Sequence, residues 1–143
     1  MSFSNSVMVN SQKMSADPKK PNASRPDRAL RWGGRILFVT AVVLITDLAL
    51  QPGSATPPRI FGSDKVEHFL AFLVLTVLIR LGWPRRSLIL LSIIVLSYGA
   101  LIELVQGMDW VGRTSSVADF IADGAGVAAG LALIIALFPR RTR

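Results

Sequence analysis

Leu88–Val105 reads LILLSIIVLSYGALIELV, eighteen residues in which Glu103 is the one charged group. A helix rises about 1.5 Å per residue, so crossing a hydrocarbon layer of about 30 Å takes roughly 20 residues. With its flanks this stretch is long enough, and it lacks the polar stripe that a surface helix of a soluble bundle carries. Three more apolar runs surround it. Ile36–Leu50 is interrupted by Thr40, Thr46 and Asp47; Val66–Leu81 opens on Glu67 and His68 and ends near Arg80; Val117–Phe138 has Asp119 and Asp123 near its start. The pattern predicts an all-α polytopic membrane protein, a four-helix transmembrane bundle with helices over residues 34–51, 65–82, 87–105 and 117–138. The second is the weakest span, since its uninterrupted part, Phe69–Ile79, covers eleven residues. It crosses only if Asp64–His68 extend it into the headgroup region while Arg80 snorkels at the other end.

Composition agrees. The chain has 143 residues, 51% hydrophobic and 17% charged, with a mean hydropathy of +0.49. A soluble domain carries about a quarter charged residues. The absence of cysteine excludes a disulfide scaffold, a thiolate zinc site and a cysteine nucleophile. Breakers separate the runs: Pro52, Gly53, Pro57 and Pro58, then Gly82-Trp83-Pro84, then Gln106–Ser116. Trp32, Trp83 and Trp110 fall where an interfacial aromatic belt would place them. Residues 1–31 are polar and Pro-interrupted and read as a disordered cytosolic tail, with Met8 and Met14 as alternative starts. The first helix does not have the form of a cleaved signal, because the basic stretch before it is long and Asp47 breaks its apolar region.

Charge predicts the orientation. The tail, the second connection and the C-terminus together hold thirteen of the sixteen basic residues, while the first and third connections hold Arg59, Lys65 and Arg113. Basic residues near helix ends favour the cytoplasmic side, so both termini are expected there. The overall charge of +7 then divides into a cytoplasmic side of +11 (thirteen basic, two acidic) and an outer side of −4 (three basic, seven acidic). The basic tail lacks aromatic interleaving and suits anionic lipid rather than nucleic acid.

In this topology Asp47, Asp64, Lys65, Glu67, His68, Glu103, Gln106, Asp119 and Asp123 all fall in or just above the outer leaflet, beside Arg113, Ser115 and Ser116. Intramembrane carboxylates face the bundle interior or water. Asp64/His68 and Asp119/Asp123 are spaced i,i+4 and Glu103/Gln106 i,i+3, so each pair shares a helix face. The expected result is an outward-facing polar pocket built from Asp64, Lys65, His68, Glu103, Gln106, Arg113, Ser116, Asp119 and Asp123. Plainer roles exist for each member. Asp64 and Glu67 suit a helix N-terminus, Lys65 an interface anchor, and Asp119 with Ser115 or Ser116 a cap. Arg113 could bridge Asp119 or Glu103, and His68, Glu103 and Asp123 could form an inert interhelical bond. Ala118, Ala122, Gly126 and Gly130 form a small-residue ridge, expected to pack the bundle or a second copy as a homodimer.

These residues, as Asp64-Lys65-x-x-His68-Phe69, Glu103-x-x-Gln106, Gly112-Arg113, Ser116, Asp119 and then Gly126 with Gly130, resemble the VanZ-like family of small bacterial membrane proteins. The family is named for a protein linked to teicoplanin resistance. The resemblance covers roughly Ile36–Leu137, and the tail before Trp32 has no counterpart in it. Asp123 stands where many members are expected to have Asn. It serves equally if it accepts a hydrogen bond, but only protonated if it must donate. The resemblance implies a cell-envelope protein and does not name a reaction.

The reading favours a binding protein whose outer pocket takes an envelope lipid or glycopeptide-like ligand, with a role in antibiotic or envelope-stress resistance. Membrane lipids are its expected partners, and neither a cofactor nor a metal is expected. One alternative is an envelope-lipid-modifying enzyme with His68 as base and Asp64 or Glu103 orienting it; a metal-dependent variant would have two acids and His68 as ligands. Another is a small proton-coupled transporter, against which the inner half offers only Thr40, Thr76, Ser92 and Ser97.

Overall fold

A computed structural model describes residues 28–51, 61–108, 111 and 116–137. Four helices run in order: α1 (Arg28–Leu50), α2 (Asp64–Gly82), α3 (Leu88–Gln106) and α4 (Val117–Leu137). α1 starts six residues before the expected position, so Arg28–Arg31 are helical and Trp32 lies inside the helix. Arg28–Arg31 have no breaker among them, and the last proline before the helix is Pro26. The expected disorder of residues 1–27 falls outside the described residues.

α2 contacts each of the other three helices and packs most extensively on α4. Its buried face is Phe72, Leu75, Thr76, Ile79 and Gly82, a helical spacing that continues into the core with Leu91, Val95 and Val127. Phe72 stacks on Tyr98, with centroids 6.1 Å apart. Tyr98 shares a 2.8 Å hydrogen bond with Thr46 and so ties α3 to α1. Small residues bring α2 close to its neighbours. A side chain at Gly126 would run into the Phe69 carbonyl oxygen, and one at Gly130 into Thr76. At the other end of α2, Gly34 of α1 sits on Gly82, and Arg35 Nε donates to the Gly82 carbonyl at 3.1 Å. The Arg35 guanidinium also lies over the Trp32 and Trp83 rings.

Three helices, α1, α3 and α4, are long and apolar enough to cross a membrane. Their outward faces are apolar: Ile36, Val43 and Leu44 on α1, Ile89 and Leu101 on α3, Ile121 and Ile135 on α4 are all exposed. Only Gly34 of the 23 residues of α1 is buried. Apolar surface on this scale is covered in a stable protein, and lipid is the covering these lengths fit. α2 is the exception, because Asp64, Lys65, Glu67 and Arg80 interrupt its apolar run.

Candidate functional site

The C-terminal ends of α1 and α3 and the N-terminal ends of α2 and α4 share one end of the bundle. α2 begins there after Gly62, whose φ of +69° is left-handed and suits glycine. Ser63 is extended and supplies its carbonyl to Glu67 N–H, while Glu67 Oε1 accepts from Phe61 N–H at 3.3 Å. Acidic residues in the first turn are favoured by the partial positive charge of unpaired amides. One turn into the helix, His68 faces the interior.

The deepest part of the site joins three helices. His68 Nδ1–H donates to Asp123 Oδ1 at 2.8 Å, bridging α2 and α4. Asp123 is 1% exposed and Glu103, on α3, is 7% exposed. Glu103 Oε2 accepts the backbone N–H of Ser116 at 2.8 Å, which anchors the start of α4 to α3. The other oxygens, Glu103 Oε1 and Asp123 Oδ2, are buried with no hydrogen-bond partner among the described residues. Asp123 Oδ2 is turned toward α3, beside Gly99, where an added Cβ would lie 2.7 Å from it. Gly99 is one turn before Glu103, and the two acids bring an oxygen each within 4.8 Å of one another and of a His68 ring nitrogen. The dissatisfied oxygens are costly, because an ionised group removed from water loses several kcal/mol unless something replaces its hydration.

Nearer the helix ends the site is wetter. Lys65 has a side chain 58% exposed and its ammonium reaches Asp119 Oδ1 at 3.4 Å. Asp119 is otherwise buried, and its N–H closes on the Ser116 carbonyl at 3.0 Å. Asp64, His68 and Asp119 each offer an atom within 4.8 Å of the other two, and so do His68, Glu103 and Asp123. His68 is therefore shared by two acidic groups, one shallow and one deep.

The fold thus brings together Asp64, Lys65, His68, Glu103, Ser116, Asp119 and Asp123. Arg113 lies outside the described residues, with Asp109, Trp110, Gly112 and Ser115. Among the described residues, Lys65 is the basic residue that meets Asp119. Gln106 turns away: its Nε2 donates to the Ala49 carbonyl at 3.0 Å, satisfying one of the unpaired carbonyls at the end of α1. The partner orienting His68 is Asp123, rather than Asp64 or Glu103. Of the small-residue ridge, Gly126 and Gly130 are buried against α2, whereas Ala118 is exposed and outside that contact. Asp47 is exposed and accepts from Gln51 Nε2 at 3.4 Å. In the other half of the bundle, Thr76 and Ser92 spend their hydroxyls on the Phe72 and Leu88 carbonyls of their own helices.

A family model described as VanZ/LLP1 matches residues 7–138. The chain belongs to the VanZ/LLP1 family. The match reaches well before Ile36, so it takes in most of the N-terminal segment that the motifs leave out. Neither curated proteins nor solved structures give a match to the chain. Within this VanZ/LLP1 protein the partner of Asp123 is His68. Its Oδ1 accepts from His68, a role a carboxylate fills without protonation. Two contributors escaped the motif reading. One is Gly99, whose signal was a lone glycine in a strongly apolar helix one turn before the acid. The other is the Ser116 backbone amide, which has no side-chain signal at all.

Proposed function

We propose that this VanZ/LLP1 protein is a multi-pass protein of the bacterial cytoplasmic membrane that holds the polar head of an envelope lipid or glycopeptide-like ligand at the outer end of its bundle. Both termini are cytoplasmic, as the thirteen-to-three division of basic residues favours. α2 is the fourth span, its charged first turn at headgroup level and one face buried against the other helices. A resistance role follows if the ligand is a cell-wall precursor or an antibiotic that targets one.

The observation that carries this reading is the gradation of the site. Lys65 stands half in water above Asp119, with His68, Glu103 and Asp123 progressively more enclosed beneath it. A cation at the rim meets phosphate or carboxylate, and acids below meet hydroxyl or amine. The test is lipid mass spectrometry on protein purified in detergent, with Lys65→Ala and Arg113→Ala beside the wild type and glycopeptide susceptibility measured in the producing cells. A specific envelope lipid retained by the wild type and lost from both variants supports the proposal. The same bulk lipids on all three, with unchanged susceptibility, refute it.

One observation favours a second reading, an envelope-lipid hydrolase. The His68–Asp123 bond fixes the imidazole in the Nδ1–H tautomer, which leaves Nε2 as a base. Turnover of a labelled lipid-linked precursor that disappears in His68→Gln while binding persists would establish it.

A further inference from the structure

We propose that Glu103, Asp123 and His68 form a divalent-cation site inside the bundle. The three side chains come from α3, α4 and α2, and each offers a ligand atom within 4.8 Å of the other two. Proximity of acids alone would not make a site. Here Asp123 and Glu103 are more than nine-tenths buried, each has a buried oxygen without a hydrogen-bond partner among the described residues, and that of Asp123 points into the space beside Gly99.

Charge selects a dication. Two buried carboxylates, one of them beside Phe72 and Gly99, carry a charge of −2 if both are ionised. Protonating His68 would halve that. A divalent ion with a neutral imidazole cancels it completely. The donor set is one nitrogen and two carboxylates, which suits Mn²⁺ or Zn²⁺ better than the all-oxygen shells of Mg²⁺ and Ca²⁺. Binding an ion there would replace the 2.8 Å hydrogen bond between His68 Nδ1 and Asp123 Oδ1, the imidazole proton moving to Nε2 so that Nδ1 can ligate.

The shallower group, Asp64 with His68 and Asp119, is the weaker candidate. The Lys65 ammonium already lies 3.4 Å from Asp119, and a second cation beside it would be repelled. The inference does not rest on ligand binding, since metal uptake is measured with no envelope lipid added.

The full chain, purified in detergent and treated with chelator, is titrated with Mn²⁺ and followed by electron paramagnetic resonance. One ion per chain is expected. Affinity should fall by about tenfold or more in both Glu103→Gln and Asp123→Asn, and hold within about threefold in Asp64→Asn. Mn²⁺ should also raise the melting temperature of the wild type and abolish any protonated-carboxyl band in its infrared spectrum. The wild-type measurements decide the matter even if a variant fails to fold. No uptake of Mn²⁺ or Zn²⁺ up to millimolar concentrations overturns the proposal. So does a protonated-carboxyl band that persists at saturating Mn²⁺, or a loss of binding confined to Asp64→Asn.

Discussion

Two glycines two residues apart on α4, and so on nearly opposite faces of it, should respond oppositely to the same added methyl group. At Gly126 a Cβ would lie 3.0 Å from Leu73 N and 3.1 Å from the Phe69 carbonyl carbon, with the Phe69 carbonyl oxygen closer still. Favourable contacts start near 3.5 Å, so Gly126→Ala forces α4 away from α2 by at least about half an ångström. The obstacle is backbone and cannot rotate aside. Overpacking of this kind costs about 1–3 kcal/mol. His68 precedes Phe69, and Asp123 is less than one turn from Gly126, so their 2.8 Å bond must lengthen too. Stretching it beyond about 3.2 Å gives up roughly another 1 kcal/mol. At Gly124 nothing lies within 4 Å of an added Cβ, and alanine is the better helix former by about 0.5–1 kcal/mol. Thermal melts in one detergent should therefore rank Gly124→Ala at or above the wild type and Gly126→Ala below it, separated by about 3 kcal/mol. His68 is the chain's single histidine, so its imidazole nitrogen resonances report the hydrogen bond without assignment work. Those resonances should move in Gly126→Ala and stay in Gly124→Ala. A Gly126→Ala protein that melts with the wild type and keeps its imidazole signals would refute the close approach of α2 and α4.

Other consequences are equally open to measurement. Tyr98→Phe keeps the stack on Phe72 but loses the bond to Thr46, and should lower stability by about 1 kcal/mol in the same melts. Arg35→Leu removes the bond to the Gly82 carbonyl and the contacts with Trp32 and Trp83, for a loss of about 1–2 kcal/mol. Lys65→Ala should cost less than about 1 kcal/mol, because the lysine is largely exposed, so any lipid it fails to retain is not lost through unfolding. A fluorescent protein fused after Arg143 should fluoresce, and alkaline phosphatase fused after Met108 should be active; the reverse pattern would overturn the proposed orientation.

The helices were legible because each is a long apolar run bounded by glycine or proline, and apolar length in lipid leaves the chain few alternatives to a helix. Boundaries were less so: Arg28–Arg31 carry charge but no breaker, and helix propensity alone extends α1 through them. Site membership was readable where residues lie four apart, since that spacing returns to nearly the same face. Asp119 and Asp123 are both buried on that basis. Glu103 and Gln106 are three apart, which leaves them about 60° apart around a helix of 3.6 residues per turn. That rotation is enough to send Gln106 to the Ala49 carbonyl instead of the pocket.

The amino-acid sequence by itself determined the material of this protein: four helices, three with enough apolar length to cross a membrane, and acids gathered toward one set of helix ends. These are local properties, set by hydropathy and periodicity within each segment. Only the tertiary structure decided which of the acids meets His68. That choice depends on how closely α4 can approach α2, and the approach is set by Gly126 and Gly130 against the backbone and Thr76 of another helix. It also depends on Gly99, which leaves room for Asp123 beside Glu103. Those distances are relations between helices, and no single segment encodes them.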